Sequence, residues 1–311
     1  MNYKNISGLM LLLGTLLTSC EEEFLPGDTI YEKQLVIECY LEKSSNNIPV
    51  YAIISYSLPF YSSFGIDVVN NSFVRSADVS IYDGVSRYTL QELCLSSLQE
   101  PLRTEVIKQF GFNPDSIKTD ICIYVDLSGQ IKPKEDVNYE LRVITQSDTF
   151  FSQTQIPDLI PIDSFWFEKP PGKNSNDTFA QMFCIISDLQ GQSDYYRYLT
   201  AGKEEQLTAG IASVTDDVFF DGQKFKFTLS KAQGADESFG DNTGLFKRGD
   251  TVQIKWCNIP ESHFSFWSTL ETSRTRQGPF SSYVRINGNI QNGLGIFGGQ
   301  NCAYYKIVVP K

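Results

Sequence analysis

Short segments that alternate hydrophobic and polar residues follow one another along most of the chain. In the first of them, Leu35, Ile37, Cys39 and Leu41 share one face of an extended strand. The segments are rich in Val, Ile, Tyr and Phe and are bounded by Gly, Asn, Asp or Pro, which is typical of β-strands. This spacing favours an immunoglobulin-like β-sandwich over residues 34–157. Its predicted strands are 35–42, 50–57, 77–82, 121–126, 139–144 and 149–156.

A second β-rich region is predicted over residues 162–311, beyond a boundary that carries Pro157 and Pro161. The chain is therefore expected to be mainly β, with two domains and one or two short helices. Strands and helices do not alternate regularly, which argues against a parallel Rossmann-like sheet. The predicted strands of this region are 163–168, 179–187, 195–200, 218–220, 224–229, 251–256 and 304–309.

Two helices are predicted from proline and hydrophobic spacing. The first lies in an insert near residues 95–118, begins at Pro101 and ends at Gly111. The second begins at Pro260 and is expected to pack against a sheet. The residues placed on one face are Leu102, Val106 and Phe110 in the first helix and His263, Phe266, Trp267 and Leu270 in the second.

The first nineteen residues have the pattern of a secretory signal peptide. Lys4 precedes a short apolar run, and Leu17, Thr18 and Ser19 lead into Cys20. This ending predicts a lipoprotein signal in which residues 1–19 are removed and Cys20 is acylated. The alternative is an ordinary signal peptide with a cysteine at its end by chance.

An acidic tether is predicted over residues 20–33, directly after the lipidated cysteine. Glu21, Glu22 and Glu23 follow Cys20, and Pro26 and Gly27 come next. The acidic run serves either as a simple solvated linker or as a sorting signal for export to the cell surface.

The chain is strongly acidic, which limits its partners. Removal of residues 1–19 takes away one cation and leaves 25 Lys and Arg against 37 Asp and Glu, a net charge of −12. Nucleic acid is therefore excluded as a partner, because binding it requires neutralisation of phosphates. An anionic bilayer surface would repel the chain, so the lipid is the expected anchor to the membrane.

Six cysteines remain after Cys20, and six thiols allow fifteen pairings. Cys94 and Cys122 flank the helical insert, and a disulfide between them would close that loop. Cys257 and Cys302 form a second candidate pair. Cys39 is expected to be a small buried hydrophobic residue.

Candidate chemistry is sparse. His263 is the only histidine, and its aromatic neighbours favour a packed structural role over catalysis. The glycines of 293–298 match a dinucleotide fingerprint by letter, but a strand context after them favours a closely packed strand. No catalytic residues and no resident cofactor are predicted. The acids Asp216, Asp217 and Asp221 are candidate Ca²⁺ ligands, with solvated turns as the alternative.

Aromatic residues are the other candidates for contact with a ligand or a protein partner. Tyr195, Tyr196, Tyr198 and Trp166 lie in predicted strands and have faces on which a sugar or a partner side chain can stack. The alternative is that they only pack within the sheets.

An ordered set of short motifs runs along the chain, at residues 35–38, 77–81 with 83–84, 93–96, 120–126, 162–164, 195–197, 247–252, 266–267, 279–280 and 289–290 leading to 293–295. Together these motifs resemble the Bacteroidota outer-membrane lipoprotein family known as domain of unknown function 4249. The resemblance implies an outer-membrane lipoprotein, and it supplies no catalytic residues. It also implies an accessory role beside a TonB-dependent outer-membrane transporter.

Three functions follow as hypotheses. The first is a non-enzymatic binding or accessory subunit of a TonB-dependent transporter system, anchored in the outer membrane and facing the cell exterior. The second is a carboxylate-based hydrolase of glycans or peptides, in which two acids flank the bond that breaks. The third is a structural subunit of an envelope complex.

Overall fold

Strands dominate the computed structural model, which describes residues 32–46, 48–58, 66–109, 115, 117–172, 178–203, 205–233, 240–275 and 284–311. The helices among them are α1 (Ile66–Asn70), α2 (Leu102–Gln109) and α3 (Glu261–Thr275). The strands are β1 (Leu35–Lys43), β2 (Tyr51–Tyr56), β3 (Asp78–Tyr82), β4 (Arg87–Cys94), β5 (Cys122–Val125), β6 (Asn138–Ile144), β7 (Thr149–Gln155), β8 (Ile162–Glu168), β9 (Phe179–Ser187), β10 (Tyr195–Ala201), β11 (Thr208–Asp216), β12 (Lys224–Leu229), β13 (Phe246–Lys247), β14 (Thr251–Ile259) and β15 (Leu294–Val308).

The prediction of a mainly β chain with short helices is confirmed. Strands β9 and β12 have the predicted bounds. The prediction of a strand at 218–220 is wrong, because these residues form a turn in which the Phe220 amide donates to the Asp217 carbonyl at 2.7 Å. Val218 and Phe219 are exposed in this turn and have no sheet to pack against. Strand β11 was not predicted.

Two sheets organise the strands. The larger has the order β11-β10-β14-β15-β1-β2-β5-β4-β3-β6-β7, and the smaller joins β8, β12 and β13 to the central β9. The long final strand connects the halves of the larger sheet. Its first part pairs in parallel with β1, from Leu294 to Asn301, and its second part pairs with β14. The larger sheet thus contains strands from both sides of the predicted domain boundary at residues 157–161. The division into two domains stays a prediction.

The first core is formed by buried side chains of strands β1 to β7 and of β15. Alternate residues of β1 point into it, as the sequence pattern predicts, and Ile37, Cys39 and Leu41 are fully buried. Strand β7 lies close to β15, where the Gly299 amide donates to the Thr154 hydroxyl at 2.8 Å. This arrangement of two layers is consistent with an immunoglobulin-like sandwich, which stays a prediction.

The second core lies between the smaller sheet and one face of the larger sheet. Met182 and Cys184 of β9 meet Trp256 of β14 and Tyr196 of β10 in one buried cluster. The Trp256 indole donates to the Ile160 carbonyl at 2.9 Å, which satisfies its only polar group. Helix α3 packs on the other face of this part of the larger sheet, where Cys257, Ile259 and Cys302 form a small third cluster.

The glycine motif forms the start of β15, which confirms the prediction of a closely packed strand. Gly295 has a φ of 107°, and a Cβ there would lie 2.0 Å from the Ile37 carbonyl oxygen. A Cβ at Gly299 would lie 2.0 Å from the Gln155 carbonyl oxygen. The glycines therefore let β15 approach β1 and β7.

Disulfides join both candidate cysteine pairs. Cys94 and Cys122 are bonded, and so are Cys257 and Cys302. In each case the two residues are direct partners on neighbouring antiparallel strands. Cys39 and Cys184 are free and buried, and Cys39 lies in the first core as expected.

The two predicted helices differ in outcome. In α2 the predicted buried face is wrong, because Leu102 is exposed and Ile107 is fully buried instead; Phe110 and Gly111 lie outside the described residues. Helix α3 follows Pro260, whose carbonyl accepts bonds from two amides of the first turn at 3.0 Å. It packs on β10, β11 and β15, as predicted, and buries His263, Phe266 and Glu271.

Candidate binding cleft

A cleft of about 730 Å³ lies on the face of the larger sheet that α3 partly covers. This volume is in the range of sites for small molecules, which runs from about 300 to 1,000 Å³. Strands β1, β2, β10, β14 and β15 form the floor, and α3 forms part of the wall. The aromatic residues that line it are Tyr40, Tyr51, Trp267 and Tyr304, and the charged ones are Glu38, Glu42, Arg197, Glu205 and Lys255.

Strand β1 supplies both a core and a cleft because its side chains alternate. Its odd-numbered residues enter the first core, whereas Glu38, Tyr40 and Glu42 line the cleft. The sequence pattern identified the odd face. The even face has no residue pattern that is specific to a binding site, so the cleft could not be predicted from the sequence.

Glu42 is the centre of a hydrogen-bond network on the cleft floor. It accepts bonds from the Lys255 ammonium, from the Gln300 amide at 2.7 Å and from the Tyr304 hydroxyl at 2.6 Å. The Lys255 and Glu42 side chains are only 13% and 7% exposed. Charge-assisted bonds of this kind hold a buried carboxylate in one orientation, so this part of the floor is preorganised.

Arg197 of β10 is the buried cation of the cleft. Its guanidinium carbon lies 3.6 Å from the centroid of the Trp267 ring, in a cation–π contact between the floor and α3. Burial lowers the pKa of Arg197, against the effects of Tyr40, Glu271 and Glu38. A guanidinium nevertheless stays charged in a protein.

Two glutamates lie close enough to Arg197 to interact with its charge. Burial raises the pKa of Glu38, and Arg197 and Arg274 oppose that rise. Burial also raises the pKa of Glu271, which accepts bonds from the amide and the hydroxyl of Ser213. Arg197 and these two glutamates are therefore close enough to offset part of one another's charge.

His263 is a packed, neutral residue, which agrees with the structural role expected from its surroundings. Its Nδ1 lies 3.0 Å from the Gly299 carbonyl, and because a carbonyl can only accept, Nδ1 carries the proton. Burial, followed by the charge of Arg197, lowers the pKa of His263 to about 3. The ring belongs to α3 and lies against the ring of Tyr40 in the cleft, with centroids 5.5 Å apart.

A second polar cluster lies apart from the cleft, where the loops after β9 and β11 meet. Asp188, Asp194 and Asp217 are all buried there, and one ligand atom from each lies within 4.8 Å of the others. Of the three predicted Ca²⁺ ligands, only Asp217 belongs to this group. Asp221 is exposed and accepts a bond from the Gly191 amide at 2.8 Å, and Asp216 ends β11 outside the group.

The predicted contact aromatics lie outside the cleft. Tyr196 is buried in the second core, stacked on Trp256 with centroids 5.1 Å apart. Tyr195 packs against Phe264 of α3, and Tyr198 packs against the second core. Trp166 stacks on Phe183 of the smaller sheet, with Lys226 above its ring.

The cleft and the aspartate cluster both lie within residues 21–305, which match the sequence profile of a single family, described as domain of unknown function (DUF4249). The chain belongs to this family. No curated protein matches the chain. The DUF4249 match covers both sheets of the chain almost completely, so the cleft and the cluster are features of this domain and not of an appended segment.

Cys20 and Glu21, Glu22 and Glu23 lie outside the described residues of this DUF4249 chain. Within the described residues, no helix has the length and apolar character that crossing a membrane requires. The lipid anchor and the sorting signal therefore stay predictions from the sequence.

Proposed function

We propose that the chain is a lipid-anchored, non-enzymatic binding subunit of the outer membrane that faces the cell exterior. In this proposal it serves as an accessory subunit of a TonB-dependent transporter system and takes its ligand in the cleft beside α3. The observation that carries the proposal is the cleft itself. It combines a suitable volume with aromatic faces, with charged side chains of both signs and with the fixed Glu42 network.

The lining of the cleft favours a polar ligand of oligosaccharide or peptide size. Tyr40, Trp267 and Tyr304 offer rings, and the side chains of Gln253 and Gln300 offer amides. Rings stack on sugars or on peptide side chains, and amides both donate and accept hydrogen bonds. The fixed Glu42 network limits the reorganisation that binding would cost.

The proposed location rests on the predicted lipidation of Cys20 and on the charge of the chain. A net charge of −12 after removal of residues 1–19 gives no electrostatic attraction to an anionic bilayer. Replacement of Cys20 by Ser should therefore release the chain from the membrane fraction. A Cys20→Ser chain that stays in the outer membrane would show that another segment anchors it.

The partner is tested by recovering the tagged full-length chain from detergent-solubilised outer membrane and identifying co-purified proteins by mass spectrometry. The proposal expects a β-barrel transporter in a fixed ratio to the chain. The Cys20→Ser chain is the control, because without the anchor it should recover much less of the barrel. Repeated recovery of the anchored chain without any barrel would contradict the accessory role.

The cleft is tested by native mass spectrometry of the same preparation, which identifies a retained ligand, followed by calorimetry with that ligand. Trp267→Ala should weaken binding at least about tenfold, because a truncated aromatic anchor typically costs about 2 kcal/mol or more. Trp166→Ala is the matched control, since Trp166 lies on the smaller sheet, and it should bind as the unaltered chain does. Equal losses in the two variants would show that the cleft is not the site.

A second candidate function is hydrolysis of a glycan or peptide, and the raised pKa of Glu38 favours it. Burial raises the pKa of the Glu38 carboxyl, which favours the protonated form that a general acid needs. In that case Glu38→Gln should abolish turnover of the ligand and leave its binding nearly unchanged. Absence of any turnover by the unaltered chain would leave the binding role alone.

A further inference from the structure

The aspartate cluster, defined by Asp188, Asp194 and Asp217, concentrates negative charge without a cation from the part of the chain that the structure describes. The three residues are 8%, 3% and 4% exposed. Among the described residues, no ion pair includes any of them. Burying carboxylates in this way is costly unless a positive charge compensates them.

The donors around the cluster are all neutral. Asp188 accepts bonds from the Tyr196 hydroxyl and from the Gly222 amide, the latter at 2.9 Å. The Asp194 amide donates to Asp217 at 2.9 Å. These bonds fix the positions of the carboxylates, but they cancel none of the charge.

Asp194 gives an independent sign of a missing ligand. Its Oδ1 accepts a bond from the Gln192 amide at 2.9 Å, whereas its Oδ2 is buried and has no partner among the described residues. The same side chain contributes to the group whose ligand atoms lie within 4.8 Å of one another. A buried carboxylate oxygen without a donor, placed among two other carboxylates, is suited to a hard cation.

We propose that Asp188, Asp194 and Asp217 bind one Ca²⁺ ion. Calcium prefers oxygen ligands in a flexible set of six to eight, and three carboxylates offer up to six oxygens. Burial, followed by repulsion from Asp188, Asp217 and Asp221, raises the pKa of Asp194, as expected for excess negative charge.

The ion would join the two sheets at one end. Asp188 directly follows β9 of the smaller sheet, whereas Asp194 precedes β10 and Asp217 follows β11 of the larger sheet. The function of this site is thus to hold the layers that enclose the second core. It is separate from the cleft and independent of the proposed ligand.

The test is a Tb³⁺ titration of the purified full-length chain after chelator treatment, with luminescence excited through the aromatic residues. Tyr196 donates to Asp188 and stacks on Trp256, so a bound lanthanide would lie beside both rings. The expected result is saturation at one Tb³⁺ per chain and reversal by Ca²⁺. Absence of saturable luminescence would overturn the proposal, and reversal by Mg²⁺ at the same concentration would overturn the choice of calcium.

Two variants assign the site. Asp194→Asn keeps the shape of the side chain and removes one charge, and it should weaken Tb³⁺ and Ca²⁺ binding about tenfold or more, because ligand charge sets affinity. Asp216→Asn is the matched control at a neighbouring acid outside the cluster, and it should bind as the unaltered chain does. Equal affinity of Asp194→Asn and the unaltered chain would overturn the assignment. Should Asp194→Asn fail to fold, Asp217→Asn replaces it, and the titration of the unaltered chain decides by itself whether a site exists.

Discussion

The cleft and the aspartate cluster are both buried and polar, but they differ in how their charge is compensated. In the cleft, Lys255 neutralises Glu42, and Arg197 lies among Glu38, Glu271 and the Trp267 ring. In the cluster, three carboxylates meet without a cation from the described residues. The cleft can therefore stay structured without a ligand, whereas the cluster requires an ion from outside.

The largest expected effect is the loss of the cation in the cleft. Arg197→Met should lower the free energy of unfolding by about 3–5 kcal/mol, because it removes the positive charge that offsets the burial of Glu38 and Glu271. In the presence of a chelator, Asp194→Asn should lower the free energy of unfolding only slightly or should raise it, since it removes excess negative charge from the cluster. Denaturant unfolding measures the free energy of unfolding of both variants. Similar destabilisation by the two would contradict the difference in charge compensation between the cleft and the cluster.

Lys226→Met provides the surface control for Arg197→Met. Lys226 lies 3.4 Å from Glu168, and both side chains are about half exposed. Exposed pairs of this kind contribute about 0.2–1 kcal/mol. A loss from Lys226→Met as large as that from Arg197→Met would mean that burial does not explain the difference.

The next effect is stabilisation by calcium. At a free Ca²⁺ concentration about a hundredfold above the dissociation constant, mass action adds roughly 2.7 kcal/mol to the free energy of unfolding. Arg197→Met should show the same increment, because the cleft takes no part in the site. Asp194→Asn should show almost none. An increment that disappears in Arg197→Met and persists in Asp194→Asn would place the ion in the cleft.

His263 beside the cleft and Asp194 in the cluster should contribute to the pH dependence of stability in opposite directions. The pKa of His263 falls from 6.5 to about 3 on folding, so the folded chain binds fewer protons between these values and loses stability as pH falls. At about pH 5 the loss is roughly 2 kcal/mol. His263→Gln, which can keep a bond to the Gly299 carbonyl, should remove this part of the pH dependence.

Asp194 should contribute a smaller effect of the opposite sign. Its folded pKa is raised above the ordinary 3.8, so without calcium the folded chain binds more protons and loses stability as pH rises through that window. The difference in unfolding free energy between the unaltered chain and Asp194→Asn isolates this carboxyl. If this difference in unfolding free energy does not change with pH in the presence of a chelator, the claim that the cluster carries excess negative charge is contradicted.

The elements with strong local signals could be predicted from the sequence. Alternation placed Ile37 and Cys39 in a core, and Pro260 placed the start of α3. The glycines of β15 could be recognised because a strand followed them. Local signals failed where burial depends on packing, as in α2, where Ile107 is buried instead of Leu102. Strand β11 was missed because its sequence carries few large hydrophobic residues.

The sites themselves depend on contacts between distant residues. Asp188 and Asp217 are brought together only because β9 and β11 end at the same edge of the fold, and neither loop has a metal-binding motif. The cleft combines side chains of β1 and β14, whose Glu42 and Lys255 are 213 residues apart. Such pairs have no periodicity that a single sequence can reveal.

The contrast between the two regions is tested most directly by the calcium content of the purified full-length chain after dialysis against Ca²⁺. At a free Ca²⁺ concentration near the dissociation constant of the unaltered chain, we predict about half an ion per chain in the unaltered protein, in Asp216→Asn and in Arg197→Met, and about a tenth of an ion in Asp194→Asn. Equal calcium content in all four proteins, or none in any of them, would contradict the assignment of a calcium site to the aspartate cluster.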